Sequence, residues 1–328
     1  MNSRRQFITQ LSLVGGGMLL SNTLSAHTTS ASFKKIGVIG LDTSHSEMFT
    51  KDINQGSLSN RGYRVVAAYP HGSPDIPSAL EMKPRITQAM RDMGVEIVDS
   101  IAALLQKVDY ILLESNDGRV HLDQATQVIK AGKPLFVDKP MAEDLSKVKA
   151  IFELAHQHKV PIFSSSSLRY DQLVREVRGG KIGKVLGADV YTPAEIEPHH
   201  IDQAWYMIHG IEMLFTVMGT GCKEVYRVFH PDFEQVIGVW NDGRTGTVRG
   251  IRKGASNIAG IAFGETGISP LGPFSGYGPL VSEILTFFDT GKAPVPAAET
   301  IEIFQFMEAA QRSSKTGGTV SLHTVQNL

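Results

Sequence analysis

Six short apolar runs mark the first half of the chain, and each is continuous rather than alternating. They begin with "KKIGVIG" at Lys34 and recur at residues 64–69, 95–98, 108–113, 134–138 and 161–165. Unbroken apolar strands suit a parallel sheet whose two faces are both covered by helices. Helical patterns lie between them. Residues 121–131 end before Gly132, a residue suited to a helix C-cap. Residues 142–158 place Leu145, Val148, Ile151, Phe152 and Ala155 on one side. The pattern predicts an α/β domain over residues 33–167, with a doubly wound parallel sheet and a site outside the carboxyl ends of its strands.

From residue 168 the pattern changes. "LRYDQLVREVRGGKIG" reads as a helix closing in glycines, and "KVLGADVYT" as a strand. Residues 201–218 read as a long helix with Met207, Ile211, Leu214 and Met218 on its apolar side. "KEVYRVF", "EQVIGVW", "RTGTVRGI" and "NIAGIAF" are strand-like. Asn241, Asp242 and Gly243 form a hairpin turn between the second and third of these. The expectation for residues 168–328 is an α+β domain with an open, mainly antiparallel sheet backed by helices. The stretch 264–278, rich in Gly, Pro and Ser, reads as a long loop at a partner surface or over the pocket. Helical segments at residues 279–290 and 300–314 follow.

Composition narrows the function classes. The 328 residues are 42% hydrophobic, enough for two domains, and carry a formal net charge of -1. With a pI near 6.8, nothing in the overall charge favours nucleic acid or an anionic membrane as a partner. A small-molecule enzyme or binding protein fits better. Cys222 is the only cysteine, so no internal disulfide forms.

Residues 1–32 stand apart. Arg4 and Arg5 precede an apolar run that Gly15, Gly16 and Gly17 interrupt, and small residues follow to Ala26. This layout predicts an export signal of the twin-arginine type with a short linker. The protein is then periplasmic or otherwise exported, soluble once the signal is removed, and served by the twin-arginine export machinery during secretion. The run is too short and too glycine-rich for a good spanning helix.

The first strand ends in "IGVIGLDTSH". A strand that enters a glycine turn and then a helix suits a bound phosphate, because the helix amino end offers unpaired N–H groups and the positive end of a dipole. Gly40 makes the turn, Thr43 and Ser44 add hydroxyl donors, and His45 adds a ring able to carry positive charge. Lys139 ends a strand before Pro140, where its ammonium can polarise a carbonyl or stabilise an alkoxide. His209 has the near-neutral reference pKa that suits proton exchange. "EIEPHHIDQ" gathers Glu195, Glu197, His199 and His200 just ahead of that helix. Their spacing matches no metal motif, and no metal is expected. A loop binding sugar hydroxyls is one reading of this cluster, and a solvated loop is the other.

Taken in order, these landmarks resemble the glucose-fructose oxidoreductase, inositol dehydrogenase and rhizopine-catabolism (Gfo/Idh/MocA) family, over roughly residues 34–323. "DYILLESNDGRVHLDQATQVIKAGKPLFVDKPMA" is similar to the family's strand, Asn and His loop, helix and acid-Lys-Pro motif, here Asp138, Lys139 and Pro140. Arg169 and Tyr170 resemble the start of the crossover to the second domain, and Gly180, Ile182 and Gly183 its G-x-I-G turn. "MIHGIEMLFTVMG" is similar to the helix bearing the family's catalytic histidine, and "SEILTFFDTGKAPVPAAETIEIFQFMEAAQRSS" to its closing segment. The resemblance implies a Rossmann-like first domain, NAD or NADP as cofactor, and a sugar, polyol, glycoside or related carbonyl substrate. It also implies catalytic roles for Lys139 and His209, with Lys139 and the loop of Asn116 against the cofactor beside Gly40, Thr43, Ser44 and His45. Candidate substrate contacts are Arg169, His199, His200 and Tyr206, of which Arg169 reads equally as a link between domains. Homo-oligomerisation through the second sheet is implied as well.

Some positions depart from the family's pattern. Asp42 stands where the dinucleotide turn has its second glycine, which admits the pyrophosphate, and His45 where it has its third, which permits close helix packing. Trp205 stands where an Asp often precedes the histidine by one turn, leaving Glu212 or Tyr206 as partners for His209. The strand at residues 64–69 ends in Tyr69, Pro70 and His71 with no ribose-binding acid nearer than Asp75, so NAD and NADP are not separated. Two expectations follow. One is an exported nicotinamide-dependent oxidoreductase, with a tightly held cofactor recycled within one cycle. The other is a cofactor-free carbohydrate-binding protein, or a repurposed lyase, that keeps the fold.

Overall fold

The computed structural model describes residues 33–325, and the export signal expected at residues 1–32 lies outside them. The first sheet is built from β1 (Lys34–Ile39), β2 (Tyr63–Tyr69), β3 (Glu96–Ile97), β4 (Tyr110–Leu113), β5 (Leu135–Val137) and β6 (Ile162–Ser164). Its order is β3-β2-β1-β4-β5-β6, all parallel, so the strand order reverses between β1 and β4. The crossovers are α1 (Ser44–Asn54), α2 (Pro77–Asp92), α3 (Ile101–Leu105), α4 (Gly118–Lys130) and α5 (Leu145–His158). Helices cover both faces, which is why the last four residues of β1 and all of β5 are buried without alternation. On α5 the buried residues are Leu145, Val148, Ile151, Phe152 and Ala155, the stripe that the sequence pattern marks.

A single 3-10 turn (Ser167–Tyr170) and α6 (Gln172–Arg178) lead into the second sheet. Its strands are β7 (Val185–Pro193), β8 (Cys222–His230), β9 (Phe233–Trp240), β10 (Thr245–Ile251), β11 (Ala259–Gly264), β12 (Ile268–Leu271) and β13 (Val320–Ser321), in the order β12-β11-β7-β10-β9-β8-β13. Only the β10–β7 pair is parallel. These strands alternate: β9 buries Glu234, Val236, Gly238 and Trp240 and turns the residues between them outward. The buried face packs on α7 (Ile208–Met218) and α9 (Ala297–Thr316). The intervening α8 (Gly278–Thr290) returns to the first sheet, where Leu280, Ile284 and Phe287 share a core with Ile36, Phe136 and Phe163.

Two segments differ from their sequence patterns. The helix expected over residues 201–218 begins only at Ile208, after a series of turns. Tertiary bonds hold that approach: the Asp202 backbone N–H donates to Gln311, and Gln203 donates to the buried Glu234. The stretch 264–278 is not wholly loop, because β12 within it pairs with β11. The remainder leads Phe274 and Tyr277 over the cleft between the sheets' ends, one of the two placements expected for it.

Candidate functional site

The site begins at the turn after β1. Gly40 has φ +86°, and a Cβ there would lie 2.4 Å from the Ser115 backbone nitrogen. Glycine is therefore required, both by conformation and by close approach to the exit of β4. Asp42 follows, and its carboxylate is buried. Oδ2 accepts the Ser73 backbone N–H at 2.6 Å and Oδ1 accepts that of Asn116 at 3.0 Å. Gly72 lies directly against it, since a Cβ at Gly72 would stand 2.1 Å from Oδ2. One carboxylate thus ties the exits of β1, β2 and β4 together. Burial pushes the Asp42 pKa up, and the two N–H bonds only partly offset that. The acid points into these loops and does not line the cavity beside them. Thr43 caps α1, its Oγ1 accepting the His45 N–H.

Under the mouth of the site lies a buried cluster of charge. The His45 Nδ1 is 2.8 Å from Asp138 Oδ2, and its ring stacks on Phe49 and meets the edge of Tyr277. Lys139 Nζ is 3.7 Å from the same Asp138 oxygen. Burial pushes Asp138 up, but the neighbouring His45 and Lys139 outweigh it and hold the carboxyl below the usual carboxylate range. Glu114, at the end of β4, is fully buried, and neither carboxylate oxygen has a hydrogen-bond partner. Burial first, and then the Asp138 charge, push its pKa well above the ordinary value. Glu114 therefore holds its proton where Asp138 does not. One atom each of His45, Glu114 and Asp138 lie within 4.8 Å of one another, a spacing that would also suit a metal ion.

A cavity of about 450 Å³ opens above this cluster, within the size range of small-molecule sites. Of the residues marked in the sequence, Thr43, Ser44, His45, Asn116, Lys139, Glu195, Trp205, Tyr206 and His209 line it. Gly40 lies in the turn beneath. Lys139 arrives from the end of β5 and His209 from the first turn of α7, so residues of the two sheets' domains converge on one space. Burial, and then the nearby Lys139 and His45, push the His209 pKa well below its ordinary value, so the ring is neutral.

Other marked residues are elsewhere. Arg169 is buried with both ends held by Glu212 (2.7 Å) and Glu299 (2.5 Å), and it does not reach the cavity. The guanidinium is a link between the 3-10 turn, α7 and α9. His199 is exposed and pairs with Glu197 at 2.6 Å. His200 is buried beneath the loops, accepting the Gly118 N–H at 3.0 Å beside Asp117. Asp75 is held by Arg119. Glu212, engaged by Arg169, is not the partner of His209, and Tyr206 offers only the edge of its ring at 5.3 Å. That partner is Ser166, whose Oγ lies 2.7 Å from His209 Nδ1. The sequence held a signal for it. Ser166 belongs to "SSSS" just past β6, and the carboxyl ends of parallel strands face the site. Glu114 was likewise signalled by an acid closing an apolar strand.

Comparison with known proteins agrees with this architecture. A family model described as an oxidoreductase family with an NAD-binding Rossmann fold (GFO_IDH_MocA) matches residues 34–166. The chain is 25% identical over 169 residues to YceM of Salmonella typhimurium, which bears an oxidoreductase's name. That match covers 51% of this chain and 50% of the other, so the chain spans about half the length of this relative. Among solved structures, scyllo-inositol dehydrogenase from Lactobacillus casei with bound NAD(H) and scyllo-inositol aligns with a TM-score of 0.70 at 17% identity, over 89% of this chain and 99% of that one. Myo-inositol 2-dehydrogenase from Lactobacillus plantarum aligns with a TM-score of 0.70 at 17% identity, over 88% and 99%. At such identities the likeness is one of fold.

Proposed function

We propose that this chain, whose residues 34–166 belong to the Gfo/Idh/MocA oxidoreductase family with its NAD-binding Rossmann fold, is an oxidoreductase that uses NAD or NADP on a sugar, polyol or glycoside. What carries the reading is the convergence of Lys139 and His209 on the cavity that the amino end of α1 also faces. The residues fit a dinucleotide: Gly40 keeps the turn flat against β4, Thr43 and Ser44 stand at the helix amino end, and the Asp42 charge is drawn back into the loops. When bound, the nicotinamide accepts or returns a hydride at C4. Lys139 and His209 hold the oxygen of the reacting carbon, Lys139 with its ammonium and His209 with its ring. Asn116, Tyr206 and Glu195 line the same cavity and offer polar groups to the ribose or the substrate hydroxyls. Tyr277 and Phe274 add aromatic surface to its lining.

Two further parts belong to this reading. The twin-arginine layout of residues 1–26 supports export, so a cofactor loaded before export and recycled in place suits the compartment. The outer face of the second sheet exposes Tyr191, Tyr226, Val228, Ile261, Phe263 and Ile268, which supports pairing with a second copy. Sedimentation of the purified protein reads that pairing, and a monomer at all concentrations removes it.

The test of the main reading is calorimetric titration of the full chain with NAD+ and NADP+, followed by assay of nicotinamide reduction with inositols, hexoses and glycosides. The expected result is stoichiometric binding of one dinucleotide and turnover of at least one polyol. No binding of either would favour the cofactor-free carbohydrate-binding protein or lyase. One observation favours that second reading: Asp42 already takes the Ser73 and Asn116 N–H groups, donors near the place where a diphosphate would lie.

A further inference from the structure

We propose that Ser166 fixes His209 in the Nε2–H tautomer, so that the histidine meets the substrate oxygen as a hydrogen-bond donor and not as the proton acceptor. This rests on the oxidoreductase reading above, and it concerns which residue moves the proton.

The inference comes from counting donors and acceptors at one hydroxyl. Ser166 Oγ lies 2.7 Å from His209 Nδ1, with both residues buried. The same Oγ accepts the Leu168 backbone N–H at 3.3 Å, as the cap of the 3-10 turn. A serine hydroxyl has one proton to donate. Among the described residues that proton has no acceptor other than His209 Nδ1. If Nδ1 carried hydrogen, the serine proton would be buried without a partner, at a cost of about 1–3 kcal/mol. The hydroxyl therefore donates, Nδ1 accepts, and the neutral ring carries its hydrogen on Nε2. Among the described residues that nitrogen makes no hydrogen bond, and His209 lines the cavity. A carboxylate partner would impose the reverse, holding hydrogen on Nδ1 and leaving Nε2 as a base. Here Trp205 occupies the position one turn before His209, and Glu212 is engaged by Arg169.

The surroundings oppose the imidazolium. Lys139 and His45 both stand close enough to disfavour a second positive charge, and only Asp138 favours it. A neutral donor polarises a carbonyl oxygen and stabilises an alkoxide without changing its own protonation. On this reading His209 does not move the hydroxyl proton of the substrate; of the other groups lining the cavity Lys139 would exchange it, its ammonium having first given a proton to solvent, while a bound nicotinamide would supply the hydride acceptor. In the reduction the ammonium returns that proton. His209 keeps its proton throughout.

Nitrogen NMR of the full-length protein labelled with 15N-histidine tests this with no substrate or cofactor present. The His209 signals are identified by their loss in His209→Gln. The expected result is a hydrogen-bearing Nε2 and an acceptor Nδ1 in the wild type, with a mixture of tautomers in Ser166→Ala. A hydrogen-bearing Nδ1 in the wild type overturns the proposal, whether or not the variant folds. Kinetics give a second reading. His209→Gln keeps an amide donor and should stay within about tenfold of wild-type turnover, whereas His209→Leu should lose about 100-fold or more. Equal losses in the two, with dinucleotide binding intact, also overturn it. Failure of the oxidoreductase reading itself is distinct, since it would show as absent dinucleotide binding with the tautomer unchanged.

Discussion

The Asp42 carboxylate accepts the Ser73 backbone N–H at 2.6 Å, so the residue that replaces a glycine in the dinucleotide turn is a tie between loops. Its other oxygen takes the Asn116 N–H, and the tie spans the point where the strand order reverses. A second glycine would have made room for the diphosphate but would have left both N–H groups to the ligand.

That geometry predicts two opposed effects of Asp42→Asn. The amide keeps the shape but presents a donor to one of the two N–H groups, which should cost about 1–3 kcal/mol of stability in a urea titration. Removing the anion should tighten NAD+ binding on the order of tenfold, about 1.4 kcal/mol, by calorimetry. Unchanged affinity in a folded variant would mean that the Asp42 charge is not felt by the diphosphate.

Glu114 sets a pH dependence whose sign is fixed by its raised pKa. Above the unfolded value, near 4.3, the unfolded chain releases this proton while the folded chain retains it. Stability contributed by the group is therefore whole at low pH and is lost as pH rises toward the folded pKa, at about 1.4 kcal/mol per unit. Glu114→Gln removes the loss. The variant should melt at least about 2 °C above wild type at neutral pH and match it near pH 4. A variant that melts lower at neutral pH would mean that the carboxylate is ionised and engaged.

His200 acts in the opposite direction. Burial lowers its pKa to about 4, against the pull of Asp117. Between that value and about 6.5 the unfolded chain binds the proton and the folded chain does not. The stability from this group is full above about pH 6.5 and falls as pH drops toward 4. His200→Gln should flatten that part of the profile in chemical denaturation at stepped pH. An unaltered acid limb would assign it to other groups.

How much of this was legible in the sequence depended on whether a residue's partner was local. The continuous runs of β1, β4 and β5 announced a parallel sheet because both faces are covered, and the stripe of α5 announced its buried side. Lys139 and His209 stood out because their motifs were local in the chain. For Ser166 the only signal was its place just past an apolar strand, and its bond to His209 was not legible because that partner lies 43 residues away. Arg169 was open to two readings because Glu299, which holds it, is 130 residues distant. The bulk and charge of Asp42 were visible in the sequence. Its direction was not, because that depends on where the Ser73 and Asn116 N–H groups point after folding.

Arg169 is a structural prediction rather than a kinetic one. Its guanidinium is buried between Glu212 and Glu299. Truncation leaves two carboxylates without their cation, and breaking one side of a buried pair costs about 3–5 kcal/mol. Arg169→Ala should lower the urea midpoint strongly, with KM for a turned-over polyol little changed in whatever fraction stays folded. A selective rise in KM at unchanged stability would restore Arg169 as a substrate contact.

Lys139 should behave in the reverse way. Its Nζ lies near Asp138 at the floor of the cavity, so the side chain is both a site residue and half of a buried ion pair. Lys139→Gln keeps polarity and much of the length but can neither stabilise the alkoxide as a cation nor exchange the proton. Loss of one such group lowers turnover by about 10²–10⁴-fold. Binding of the dinucleotide should weaken far less, because the amino end of α1 is untouched. The comparison of kcat with calorimetric affinity for the same variant separates the two roles. A loss of affinity as large as the loss of turnover would make Lys139 a cofactor-holding residue only, and the chemistry would then have to be carried from the His209 side of the cavity.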